Sequence, residues 1–483
     1  MLQRTNLIWL LGTLLLVRII AMVVVPLADT TEPRYAEIAR LMLTTNDWIT
    51  PWFEPDVPFW GKPPLSFWAQ ALSFKLFGIN EFAGRLPALL AFIATAWMLW
   101  RMAVSAVSAH VAAASVVVYS SMLLTFLAAG TVMTDPYLAL GTTWAMVAFY
   151  LAPKENVWYW RYGVFIGLGI GLLAKGPLAI VIAGAPIGLW VLFQGKLMHY
   201  LRTMPWIRGT LLTLLIALPW YILAELKTPG FINYFIVGEH FMRFVDPGWM
   251  GDLYGHAHKE AKGMIWLHWL AGSTPWGPLA LLLLVGHMLT ASLRKTVWHA
   301  LKQPVVIYAL LWALVTPVFF TAAGNVIWTY VLPSMPAFAL LMGWAIVKLN
   351  NGQKWRKLGF IFVMWFMPIA GLIFSAFIAN NNNLMKTEKT IAEYVAQQPQ
   401  IGDNSNWSRL YYLAPKLEFS ARFYSHDKAK PVKMGQLENL VMQQQGVFLA
   451  VPTDQWETTV AHFGARLEPR IENMRFKLAF LKP

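Results

Sequence analysis

The sequence predicts an all-α polytopic membrane protein of about 11–13 transmembrane helices with a small C-terminal α/β domain on the outer face of the membrane. Three observations carry this prediction. The 483 residues are 57% hydrophobic with a mean hydropathy of +0.50, too apolar for a chain that folds in water. Apolar runs of the roughly 20 residues needed to cross a bilayer core recur from residue 7 to residue 379. The polar run Asn380–Asn383 then ends the apolar pattern, and shorter strand-like and amphipathic segments follow.

Spans are expected at 7–27, 83–103, 111–130, 137–152, 160–174, 177–194, 207–224, 272–290, 304–322, 329–347 and 358–379. The first resembles a signal peptide, but its apolar run is long and lacks a small-residue cleavage site, so it reads as an uncleaved span. Orientation follows from the short connections. One set carries Arg4, Arg101, Lys154, Arg161, Lys196, Arg202, Arg208, Arg294, Lys295, Lys302, Lys348, Lys354, Arg356 and Lys357. The opposite short turns, 131–136, 174–177 and 321–329, carry only Lys175. The positive-inside rule therefore places the N-terminus in the cytoplasm. It leaves the long segments 28–82 and 225–262 and the C-terminal domain on the far side of the membrane. The net charge of +14 is accounted for by topology rather than by an anionic partner such as nucleic acid. The chain divides into a membrane domain, 1–379, carrying the chemistry, and a soluble domain, 380–483.

The absence of cysteine excludes disulfides and thiolate metal sites. No phosphate-binding glycine loop, nucleotide fingerprint or repeat is present, which argues against an ATP-driven pump. In the C-terminal domain, strands are expected at 410–413, 447–451 and 476–481, and helices at 436–445 and 454–463. Asn406-Trp407-Ser408 fits a glycosylation acceptor pattern that arises easily by chance.

The chemistry concentrates in the outer segments. Residues 28–64 hold Asp29, Glu32, Arg34, Glu37, Arg40, Asp47, Glu54, Asp56 and Lys62 in a chain with only 13% charged residues. A helix is expected from Pro33 to Leu43, since a proline in the first turn forfeits only an N–H that has no helical partner. Its plain structural role is an interfacial helix with solvated charges. Lys62 stands on the rigid turn Gly61-Lys62-Pro63-Pro64 among Phe59, Trp60, Phe67 and Trp68. It can contact a phosphate, or simply snorkel to the interface. Asp135 is the only charge between Arg101 and Lys154, and a lone carboxylate at that depth is costly unless paired or used. Lys175 is a lone cation on its own outer turn. Glu239, His240 and Arg243 fall within one helical turn and can face one site. His256 and His258 hint only weakly at a metal, because i and i+2 do not share a helical face.

Taken in order, Glu32-Pro33-Arg34-Tyr35-Ala36-Glu37-Ile38-Ala39-Arg40, Gly61-Lys62-Pro63-Pro64-Leu65, Thr134-Asp135, Lys175-Gly176-Pro177 and Glu239-His240-Phe241-Met242-Arg243-Phe244 resemble the lipid-carrier-dependent GT-C glycosyltransferases. The resemblance runs over residues 7–345 and is nearest the ArnT-like enzymes that modify lipid A and the protein mannosyltransferases. It implies a GT-C fold and an inverting transfer of sugar from an undecaprenyl-phosphate donor. The acceptor would be lipid A, another glycolipid or a protein hydroxyl. It also implies carrier-phosphate contacts from Lys62, Arg243 and Arg34, and catalytic carboxylates among Asp29, Glu32 and Asp135. Tyr35, Glu37, Lys175, Glu239 and His240 are the expected substrate contacts. The chain departs from the family pattern twice. Thr31 stands where the family often has an aspartate, leaving Asp29 and Glu32 as alternative bases. Gly61 replaces a glutamate associated with a metal, so no metal or other cofactor is carried over. A flippase for lipid-linked sugars is the rival reading, but it calls for charges spread through the membrane interior rather than gathered on one face.

Overall fold

The computed structural model describes every residue except 1–3, 156, 247–248, 256–257, 290–297, 300, 350–353, 400–405 and 445. His256 lies outside the described residues, as do Arg294 and Lys295 of the inner connections. Each of the eleven expected spans coincides with helix, and the protein is a multi-pass membrane protein. Among the described residues four helices are long and apolar enough to cross a bilayer alone: Glu81–Ala106, Trp206–Lys227, Trp328–Lys348 and Gly359–Asn380. Two of the expected spans are broken. The run 111–130 divides at Met122 into Ala109–Ser121 and Leu123–Ala128, and the freed Leu123 N–H donates to the Thr274 carbonyl at 2.8 Å. The run near 272–290 is the second arm of a pair, Met264–Gly272 and Trp276–Gly286, bent by 106°.

The antiparallel helices Asp135–Glu155 and Trp158–Lys175 pack with their backbones touching. A Cβ added to Gly141 would lie 2.7 Å from the Gly167 carbonyl oxygen, so only glycine permits this approach. That contact brings Asp135, at the start of one helix, beside Lys175, at the end of the next.

The outer segment after the first span folds into the Thr31–Thr45 helix, the hairpin β1 (Trp52–Glu54) and β2 (Val57–Pro58), and the Leu65–Phe77 helix. The Thr31–Thr45 helix is not an interfacial helix with solvated charges. It is buried on nearly every face, with Glu37 fully enclosed and bonded through both oxygens to Arg40 at 2.7 Å. The C-terminal domain makes the difference, because Phe423 of that domain joins the apolar cluster of Tyr35, Ile38, Phe59, Phe67 and Phe74.

That domain is a mixed five-stranded sheet in the order β4-β3-β5-β7-β6. The expected strands are β3 (Leu410–Leu413), β5 (Val447–Pro452) and β7 (Phe476–Leu481), and the expected helices are Leu437–Gln444 and Trp456–Phe463. The strands not foreseen, β4 (Lys430–Val432) and β6 (Leu467–Glu472), are the two edges, where charge and proline blunt both the apolar pattern and edge-to-edge pairing. Asn406 is buried and its Nδ2 donates to the Gln398 carbonyl at 2.6 Å, which is incompatible with an accessible glycan acceptor.

The two parts are joined by ion pairs. Arg475 Nη2 meets Asp29 Oδ2 at 2.6 Å and Glu388 Oε1 at 2.7 Å, and Ser420 N–H donates to Asp29 Oδ1 at 2.9 Å. Asp29→Ala leaves Arg475 without this partner in a largely buried setting, and removing one member of such a pair costs roughly 3–5 kcal/mol. A correspondingly lower thermal unfolding midpoint in detergent checks this. Burial, opposed by Arg475, raises the Glu388 carboxyl to about 6 from its ordinary 4.5. The folded state thus binds its proton more tightly, and this stability is present below the ordinary value and lost as pH rises through about 6. Relative to Glu388→Gln, the native chain should lose about 2 kcal/mol over that interval, measured by thermal unfolding across pH.

Candidate active site

Lys62 is aimed by its flanking residues. Phe59 packs so closely on Gly61 that an added Cβ would fall 2.9 Å from the ring. Trp60 is fixed on the other side, its backbone N–H donating to the Tyr254 hydroxyl at 2.9 Å and its Nε1 to Thr228 Oγ1 at 3.1 Å. The Lys62 side chain then reaches Glu239 Oε2 at 3.2 Å, and Glu239 Oε1 accepts from Arg243 Nη1 at 2.9 Å. Arg243 also meets Asp252 at 3.4 Å. Glu239 and His240 belong to the π-helix Asn233–Met242, whose wide turns are rare and concentrate at functional sites. Its winding sends Glu239 toward Lys62 and turns His240 back to the end of the Trp158–Lys175 helix. There the His240 ring meets the Lys175 carbonyl at 2.9 Å.

These groups line one cavity of about 200 Å³. Lys62, Lys175, Glu239, His240 and Arg243 form its polar side, and Leu178, Val181, Phe244, Phe319 and Phe320 its apolar wall. Lys175 is held by Asp135 Oδ1 at 2.6 Å and lies 4.6 Å from the centroid of the Tyr330 ring. The lone carboxylate and the lone cation of the sequence thus satisfy each other. Burial works against the charge on Lys62, but Glu239 outweighs it and holds the ammonium above its ordinary value. Burial likewise works against Glu239, and Lys62 and Arg243 together keep it below the usual carboxylate range. All three are therefore charged at neutral pH. Such a chamber can bind a compact anion carrying an apolar tail.

The remaining candidates lie in other networks. Asp29 is bound to Arg475 and Ser420, as described above. Glu32 Oε1 accepts from Arg85 Nε at 3.0 Å and from the Val132 N–H at 2.9 Å, while its Oε2 pairs with Arg85 Nη2 at 2.7 Å. Glu37 is closed off with Arg40. Tyr35 is wedged edge-on between the Phe59 and Phe67 rings. Arg34 Nη1 donates to the Tyr254 carbonyl at 2.9 Å, and its buried Nε is left unpartnered. Among the described residues no group of three or more His, Asp or Glu could hold a metal ion. Tyr330 and Tyr254 were not anticipated. Tyr330 is hidden in an apolar span and Tyr254 in an unpatterned loop, and neither offers a sequence signal.

A family model described as dolichyl-phosphate-mannose-protein mannosyltransferase matches residues 61–223. The undecaprenyl phosphate-alpha-4-amino-4-deoxy-L-arabinose arabinosyl transferase of Aeromonas hydrophila is 31% identical over 364 residues, which is 72% of this chain and 61% of that protein. The protein of the same name from Yersinia pestis is 30% identical over 344 residues, 68% of this chain and 56% of its own length. The crystal structure of ArnT from Cupriavidus metallidurans bound to undecaprenyl phosphate superposes with a TM-score of 0.75 at 17% identity, covering 98% of this chain and 97% of that one. Its apo form gives a TM-score of 0.72. The chain has the GT-C membrane fold of ArnT. The match spans about three-fifths of the curated GT-C relatives' length. The family model takes in Lys62, Asp135 and Lys175 but ends before Glu239, His240 and Arg243.

Gly176 joins the two halves of this site. Its φ is +80°, and an added Cβ would lie 2.7 Å from the Phe235 ring and 3.0 Å from His240 Nε2. Gly176→Ala should displace the π-helix from Lys175 and lower the cavity's affinity for a compact anion with an apolar tail, such as an alkyl phosphate, at least tenfold, read by calorimetric titration. Gly188→Ala, at a position with open space around it, should leave affinity unchanged.

Proposed function

We propose that this protein is a glycosyltransferase that moves a sugar from undecaprenyl phosphate to lipid A or another envelope glycolipid at the periplasmic face of the inner membrane. The observation that carries the reading is the convergence of Lys62, Arg243 and Lys175 on one cavity with an apolar wall. That is the chemistry a phosphate on a polyprenyl chain demands. Support also comes from the arabinosyl transferase relatives and from the ArnT fold crystallised with undecaprenyl phosphate. The orientation, with the N-terminus cytoplasmic, rests on the distribution of Lys and Arg.

The bond between the anomeric carbon and the carrier oxygen breaks, and the electron pair leaves with the phosphate. Charge therefore grows on the phosphate as the acceptor oxygen attacks the opposite face of the sugar. Lys62 and Arg243, positioned beforehand in a partly buried site, stabilise that charge in the transition state. Arg34 does not line this cavity; its Nη1 is held by the Tyr254 carbonyl. Asp135, fixed by Lys175, is the carboxylate assigned to the sugar and acceptor side. A hydroxyl acceptor passes its proton to it, with the 10²–10⁴-fold benefit typical of general base catalysis. A phosphate acceptor is already ionised and needs no base. Asp29 and Glu32, whose oxygens already accept from Arg475, Ser420 and Arg85, serve to hold the loop.

Lys62→Ala and Arg243→Ala should each reduce kcat/KM by about 10²-fold or more. Asp135→Asn should abolish transfer from purified donor to acceptor while leaving carrier binding in place. Full turnover by either cation variant sinks the phosphate assignment. An absence of transfer by the native protein with every lipid-linked sugar tried favours the flippase.

A further inference from the structure

His240 makes two contacts that a neutral imidazole cannot both satisfy. Its Nδ1 lies 2.8 Å from the Phe235 carbonyl oxygen and its Nε2 lies 2.9 Å from the Lys175 carbonyl oxygen. Both acceptors are backbone oxygens that offer only lone pairs. A neutral ring has one N–H, so one nitrogen would point its own lone pair at a carbonyl, whereas an imidazolium donates to both.

The charges around the ring supply a second, independent argument. The cations Lys62, Lys175 and Arg243 face the carboxylates Glu239, Asp135 and Asp252, so the charges around the cavity are balanced in ion pairs. The Phe235 ring and the end of the Trp158–Lys175 helix enclose the imidazole, and Tyr330 stands over Lys175. Among the described residues lining the cavity each of these cations already has a carboxylate, so a phosphate monoester that shares them adds negative charge to a balanced set. Uncompensated charge in a partly buried site is costly, so the cheapest response is a proton on the nearest group that can hold one.

We propose that His240 takes up a proton from solvent when a polyprenyl phosphate occupies the cavity, so that carrier binding and proton uptake are one equilibrium. The inference rests on the phosphate reading of the cavity given above. The proton settles on whichever ring nitrogen lacked one, and both N–H groups then donate to the carbonyls already in place. In the empty site, burial holds the imidazole below its ordinary value, aided by Lys62 and opposed by the two carbonyls and Glu239. An anion in the cavity moves it upward. Carrier affinity should therefore fall as pH rises through the bound-state value, by up to about tenfold per pH unit. His240 acts here as a positioning residue, because both its nitrogens are engaged by backbone and neither faces the reacting atoms.

The test is calorimetric titration of the full-length protein in detergent with undecaprenyl phosphate near neutral pH, in buffers of differing ionisation enthalpy. The native protein should take up close to one proton more per bound carrier than His240→Gln, since the titration of the phosphate itself is common to both. Histidine-selective ¹⁵N spectra of the native protein should show one ring changing from neutral to doubly protonated on carrier addition, a readout that needs no variant. Equal proton counts, or a ring that stays neutral under saturating carrier, overturn the inference while leaving the phosphate site intact. An absence of saturable binding by the native protein overturns both.

Discussion

Arg85 organises the outer face of this protein. It sits in the first turns of the Glu81–Ala106 helix and donates to the Met22, Val25 and Pro26 carbonyls, which are among the last of the first span and lack helical partners. Its remaining donors bind Glu32, whose Oε1 also receives the Val132 N–H. One buried guanidinium thereby fixes the end of a span, the start of the Thr31–Thr45 helix and the turn that leads to Asp135. The pair lies at the membrane boundary, where leaving a backbone carbonyl unpaired is expensive, and this gives the arrangement its rigidity.

The site is assembled at the ends of long elements held this way. The glycine contact between the Asp135–Glu155 and Trp158–Lys175 helices sets the Asp135–Lys175 distance. The proline turn sets Lys62, and the π-helix brings Glu239, His240 and Arg243 across the gap. None of these parts makes an anion site alone. Each cation has been given a carboxylate, so the charge is neutralised in pairs and the chamber avoids the penalty of an isolated buried ion. An arriving phosphate then competes with carboxylates already present, a setting suited to a site that must release its anion as well as bind it.

The membrane architecture was legible in the sequence because a bilayer imposes a length and a polarity that no other solvent does. The same holds for the central strands of the outer domain, whose apolar runs are continuous. Asp135 and Lys175 stood out as isolated charges in apolar surroundings, Lys62 by its rigid proline turn, and Arg243 by its spacing from Glu239 and His240. The surroundings of Asp29, Glu32 and Glu37 were not legible. Charge density and the family resemblance marked them as chemistry, but their partners, Arg475, Arg85 and Arg40, lie 446, 53 and 3 positions away, and only the fold shows that the carboxylates are already engaged there. The buried setting of the Thr31–Thr45 helix was hidden likewise, because its cover comes from the far end of the chain.

The seam between the membrane helices and the outer sheet has a consequence for how such chains can diversify. Leu27, Asp29, Glu81 and Phe53 all touch the outer domain, through Tyr424, Arg475, Lys389 and Arg422. An outer domain borrowed from another chain would meet carboxylates with no counterpart. Grafting by recombination therefore succeeds only when residues 27–29, the β1–β2 hairpin and the Glu81 turn travel with it. The unit of inheritance on this face is discontinuous, drawn from stretches that lie far apart along the chain.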